Sequence, residues 1–68
     1  MVLNLRQARR LRDKTQDDMA DLLKIHVQTY QKLEKNPELV TIEQAKKIAE
    51  FLNFTYDEIF FGFSIHFK

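Results

Sequence analysis

Apolar residues along this chain recur at helical spacing, but no single stripe holds its phase for long. In "LNLRQARRLRD", Leu5, Ala8 and Leu11 repeat every three residues, which predicts a first helix closed by Asp13 and Lys14. From Thr15 the grouping shifts to Met19, Ala20 and Leu23, the face of a short amphipathic helix. The phase then breaks, and Tyr30 and Leu33 define a new stripe with Ile25 just ahead of it. The stretch "TQDDMADLLKIHVQTYQKLEK" therefore predicts two short helices joined by a tight turn at Lys24, Ile25 and His26. Ile42, Ala45, Ile48, Ala49 and Leu52 form the longest stripe, ended by Asn53, which tolerates a left-handed cap. "TYDEIFF" gives a fifth short helix with Ile59 and Phe60 facing inward. In the tail, Phe63, Ile65 and Phe67 alternate with Ser64, His66 and Lys68, the two-residue period of a strand.

With one glycine and one proline, the chain marks its helix boundaries mainly with capping residues. Thr15 precedes Asp18, Thr41 precedes Gln44 and Thr55 precedes Glu58, each at the spacing of a capping box, so helices should start near residues 16, 42 and 56. Pro37 pushes Asn36 out of the helical region and makes "EKNPEL" a loop. The sum is an all-α domain of five helices over residues 1–61, followed by an apolar tail, residues 62–68, that reads as a short strand.

The 68 residues leave room for one domain with a thin core, since a chain this short buries only about 60% of its unfolded surface. Its 44% hydrophobic and 31% charged content is that of an ordinary folded protein. The absence of cysteine excludes disulfides and thiolate metal sites, and His26 and His66 have no ligand spacing. The N-terminus carries no apolar signal segment, and no run is long enough for a membrane span, so no membrane partner and a cytoplasmic location are expected. Net charge is +1, but residues 1–35 carry eight Lys or Arg against five Asp or Glu, while residues 36–68 carry three against five. The first half could meet a phosphate backbone, although a plain solvated face would have the same charge.

On the third helix, Gln28, Gln31, Lys32 and Lys35 fall within roughly 140° of Val27, with Thr29, Tyr30 and Leu33 on the other side. Amides can pair with adenine, lysine with guanine, and valine can touch a thymine methyl, so this ridge suits the edges of bases in a major groove. Any amphipathic helix also has a polar face, and residue types alone do not separate the two readings. No feature points to an enzyme: there is no nucleophilic cysteine, no metal-ligand cluster and no glycine-rich phosphate loop, and Asp17 and Asp21 are an ordinary exposed pair. No cofactor is expected.

The run "RRLRDKTQDDMADLLKIHVQTYQKLEKNPELVTIEQAKKIAEFLNFTYDEIF" resembles the phage-repressor-like helix-turn-helix family, the XRE type, over nearly the whole chain. Arg9, "TQDDMA", "QTYQKLEK", Pro37, "AKKIAEFLNF" and "TYDEIF" carry the likeness by their order and spacing. It implies a compact lambda-repressor-like domain whose third helix reads DNA. It further implies that Gln16 meets a phosphate, that Val27, Gln28 and Lys32 meet base edges, and that Lys35 and Asn36 lie near the backbone. His26 and Gln31 complete the candidate DNA-binding set. Arg9 and Glu34 should form an ion pair between the first and third helices.

Three positions depart from the family pattern. Lys24 stands where a glycine is usual, His26 caps the third helix in place of serine or threonine, and Leu22 is apolar where a polar residue is usual. The implied function is a sequence-specific operator-binding regulator, Cro-like or a short repressor. The other reading is a protein-interaction module with the same fold, an antirepressor or antitoxin, docking through Leu22 and the tail. Phe61, Phe63, Ile65 and Phe67 are expected to form the interface of a homodimer, or else to fold back over the domain's own core.

Overall fold

In the computed structural model, which describes residues 3–59, every described α-helix but one begins with a reciprocal side-chain cap. The order is α1 (Leu5–Leu11), α2 (Gln16–Leu23), α3 (Val27–Lys35), a single 3-10 turn (Pro37–Leu39), α4 (Ile42–Leu52) and α5, whose described part covers residues 56–59. The three threonine boxes open α2, α4 and α5 where the sequence places them. A fourth box escapes the sequence reading: Asn4 accepts from the Gln7 backbone N–H at 2.7 Å, and the Gln7 side chain accepts from the Asn4 N–H at 3.0 Å. The exception is α3, whose cap residue His26 makes no side-chain capping bond.

Three helix ends share one geometry. Asp13, Lys24 and Asn53 sit at φ of 58°, 59° and 59°, each just past the helix, and the next residue's N–H returns to a carbonyl five residues back. Lys14 bonds Arg9, Ile25 bonds Ala20, and Phe54 bonds Ala49, closing a Schellman motif each time. This left-handed turn ordinarily favours glycine, because a Cβ crowds the following carbonyl. The chain therefore turns three times at some conformational cost.

Leu5, Ala8, Met19, Leu23, Tyr30, Leu33, Ile48, Leu52 and Ile59 meet in one core drawn from all five helices. The Leu3 N–H bonds the Glu58 carbonyl at 2.8 Å, so the start of the described chain is tied to α5. Among the described residues there is no strand, and no helix is long and apolar enough to cross a membrane. The predicted tail strand and the inward Phe60 lie outside the described residues.

Four apolar residues are placed differently from their expected positions. Leu11 is 61% exposed, because a three-residue repeat slips about 60° per step and carries it off the face held by Leu5. Ile42 keeps the phase of its stripe but is 58% exposed, since it is the first residue of α4 and burial begins one turn later. Leu22 and Val27 are the reverse case: both are half-buried and pack against the core. Each lies about 60° around its helix from a buried residue, Met19 and Tyr30 respectively, which puts it at the border of the apolar face.

Candidate nucleic-acid interface

The turn between α2 and α3 determines what α3 displays. Lys24 in the left-handed region lets the chain reverse within three residues, and Ile25, half-buried, anchors the turn to the core. Tyr30 and Leu33 then hold α3 from below, which leaves Gln28, Gln31, Lys32 and Lys35 exposed along its outer side. At nine residues α3 is about 13 Å long, comparable to the roughly 12 Å width of a major groove. Val27 stands at the edge of this ridge with part of its side chain in the core. His26 is exposed at the N-terminal end. At the other end the exposed Asn36 turns its amide back to the Lys32 carbonyl at 3.3 Å, closing the last turn.

Behind the ridge lies a continuous hydrogen-bonded network. Arg9 Nε donates to Glu34 Oε2 at 2.6 Å, and Arg9 Nη1 donates to the Lys14 carbonyl at 2.9 Å. Gln16 Nε2 donates to Glu34 Oε1 at 3.2 Å, and Gln16 Oε1 accepts from Gln31 Nε2 at 3.1 Å. The Arg9 and Glu34 side chains are 11% and 6% exposed. Burial pushes the Glu34 carboxyl up, but the Arg9 guanidinium, then the nearby Tyr30 hydroxyl dipole and the Gln16 amide, outweigh it and hold the group below its ordinary range. Burial, and then the neighbouring Glu34, push the Tyr30 phenol well above its ordinary range. Its hydroxyl lies beside Glu34, but outside hydrogen-bond geometry with any described residue.

Gln16 thus has both ends of its amide occupied within the protein. What the start of α2 still offers a phosphate is the second N–H of Gln16 Nε2 and its backbone: the Asp18 N–H is taken by Thr15, while those of Gln16 and Asp17 come before the first intrahelical bond. Asp17 and Asp18 in the same turn already answer the positive end of the helix. The Thr15 backbone N–H and hydroxyl hold the Asp18 carboxyl below its ordinary value.

Beside this network, an open cleft of about 710 Å³ lies between α1, the start of α2 and the end of α3. Arg6, Arg9, Arg10, Lys14 and Lys35 line it against the single carboxylate of Glu34, which Arg9 already engages. The cleft concentrates cations in a chain whose net charge is only +1. Arg6, Arg10 and Lys14 are absent from the candidate set read off the sequence. Their role depends on where α1 sits against α3, and no spacing within α1 reveals that.

Arg12 is also invisible in the sequence pattern. Arg12 Nε donates to the Leu52 carbonyl at 2.7 Å and Nη2 to the Asn53 carbonyl at 3.2 Å, while its guanidinium lies 4.1 Å from the centre of the Phe54 ring. It satisfies the end of α4 from the end of α1 and fixes the far side of the domain. Phe51, 39% exposed and off its helix's stripe, carries Lys14 Nζ over its ring at 5.1 Å. Phe61, Phe63, Ile65 and Phe67, the expected dimer contacts, lie outside the described residues.

A family model described as helix-turn-helix matches residues 5–59. No curated protein and no solved structure matches the chain.

Proposed function

Because the chain belongs to the helix-turn-helix family, whose members are DNA-binding regulators, we propose that it binds operator DNA sequence-specifically through α3, as a Cro-like protein or short repressor. The observation that carries this reading is the exposed row Gln28, Gln31, Lys32 and Lys35 beside a cleft lined by five cations. Gln28 and Lys32 contact base edges, with Val27 offering its outer methyl to a thymine. His26, Lys35 and Asn36 lie along the phosphates, as do the backbone N–H groups that open α2 at Gln16.

Residues 1–61 constitute the DNA-binding domain and residues 62–68 a separate apolar segment. A domain of 31 × 21 × 18 Å spans one half-site, and half-sites on one face of a duplex recur at about 34 Å. Two copies joined through Phe61, Phe63, Ile65 and Phe67 would occupy both, and the second contact raises affinity without any new recognition. Binding then acts by occupancy, by excluding other proteins from the same DNA.

The reading of the fold as a protein-interaction module has less support, because Leu22, one of its two proposed contacts, packs against the domain's own core. The deciding experiment is a fluorescence-anisotropy titration against random duplex pools at two salt concentrations, with Gln28→Ala/Lys32→Ala alongside. Selective, salt-sensitive binding that the variant loses supports the regulator. Weak, sequence-blind binding by both proteins refutes it.

A further inference from the structure

The tie between Glu34, Gln16 and Gln31 has a direction that chemistry imposes. An ionised carboxylate can only accept hydrogen bonds, and Glu34 accepts from Arg9 Nε on one oxygen and from Gln16 Nε2 on the other. Gln16 must therefore turn its amide nitrogen inward, which leaves its carbonyl oxygen toward α3. That oxygen can only accept, so Gln31 must donate to it through Nε2. One buried charge thus sets the orientation of two successive amides. What remains at Gln31 is Oε1, which accepts from no described residue, and the second N–H of Nε2, on an exposed side chain in the row that includes Gln28 and Lys32.

An untethered glutamine can turn its amide by half a rotation and offer either oxygen or nitrogen to a base. Gln31 cannot do so freely. Turning it would set its oxygen against the oxygen of Gln16. Turning Gln16 as well would set that oxygen against the carboxylate of Glu34. Either arrangement forfeits a hydrogen bond next to a partly buried charge.

We propose that Gln31 is a specificity-determining residue whose polarity is preset by Glu34 through Gln16, and that it presents its acceptor beside a single N–H, in one fixed orientation, to the major groove. This rests on the DNA-binding reading of α3. In the major groove adenine and cytosine present amino donors, at N6 and N4, where guanine and thymine present the carbonyl acceptors O6 and O4. Adenine alone sets its N6 donor beside the N7 acceptor and so uses both free groups of the fixed amide; Gln31 therefore selects adenine on the strand it faces at one position of the site. Gln16 is the positioning residue.

The test is selection of binding sites from a random duplex pool by the full chain, by Gln16→Met and by Gln31→Ala, each variant first checked by thermal melting. Gln16→Met keeps the side-chain volume and the Arg9–Glu34 pair while removing the tether. Gln31 is exposed, so its truncation leaves the fold intact even if Gln16→Met does not. The wild type should prefer adenine over the other bases at one position by roughly tenfold. Gln16→Met should reduce that preference to about twofold at that position alone, and Gln31→Ala should abolish it. A wild-type site that both variants select unchanged overturns the inference and leaves the DNA-binding reading standing. So does a position controlled by Gln31 that prefers a base other than adenine. If the wild type enriches no site at all, the functional reading fails and the inference falls with it.

Discussion

Arg9 and Glu34, 25 positions apart in the chain, meet with Nε and Oε2 2.6 Å apart and join α1 to α3. Arg9 also bonds the Lys14 carbonyl, so one guanidinium fixes both the loop after α1 and the helix proposed to read DNA. Removing one partner leaves the other charge largely buried, at a cost of about 3 kcal/mol. Arg9→Ala should therefore lower the melting temperature far more than Arg6→Ala, whose side chain is exposed. Equal shifts in a calorimetric scan would show that the pair contributes nothing particular.

The same carboxylate makes stability depend on acid. Glu34 titrates below its ordinary value of 4.5 in the folded protein, so its contribution is complete above that value and is lost as pH falls through the lower, folded-state value. The stability difference between wild type and Glu34→Gln should be constant from pH 7 down to about 5 and shrink below 4.5. Urea titrations over that range measure it, and a difference that grows on acidification would contradict the assignment.

Lys24 holds a φ of 59° with a full side chain in the turn that sets α2 against α3. Lys24→Gly removes the clash of Cβ with the backbone and should stabilise the domain by about 1 kcal/mol after the extra freedom of the unfolded chain is counted. For a chain of this size that is a rise of about 4–8 °C in melting temperature. Lys24→Val, β-branched in a region that β-branched residues avoid, should move the midpoint the other way.

The cations of the cleft should be legible in the salt dependence of DNA binding. Each phosphate neutralised contributes about 0.9 to the slope of log K against log salt. If Arg6 and Arg10 each meet one, Arg6→Gln/Arg10→Gln should flatten that slope by nearly 2 and leave the ranking of duplex sequences untouched. An unchanged slope would place the DNA backbone away from α1.

For the tail, sedimentation of a chain ending at Phe60 is the direct measurement. The truncated chain should be monomeric at concentrations where the full chain is dimeric. A truncated chain that remains a dimer would move the interface elsewhere, with the exposed Leu39 and Ile42 as the next surface to test.

Much of the fold was legible in the order of residues because it depends on local chemistry. Thr15, Thr41 and Thr55 open helices by bonding their own first turns, and Asn53 ends one by adopting a left-handed turn, all within a few residues. The stripes of α2 and α4 follow from the helical period. The ridge on α3 could also be read from its wheel, whose buried side is set by Tyr30 and Leu33. Leu22 and Val27 were harder, because a residue about 60° from a buried neighbour can face either way until the opposing helix is in place.

What only the tertiary structure decided is which distant side chains share a site. Arg6 and Arg10 look like ordinary exposed cations until α1 packs beside Lys35. Arg12 looks the same until the carbonyls of Leu52 and Asn53 arrive from the end of α4. Resemblance to a family suggested the Arg9–Glu34 pair in advance, but not that Gln16 and Gln31 would extend it to the exposed face of α3. Helical period and capping act over one or two turns of chain. A charge cleft and an amide relay are properties of surfaces brought together, and they appear only when the core fixes the distances between helices.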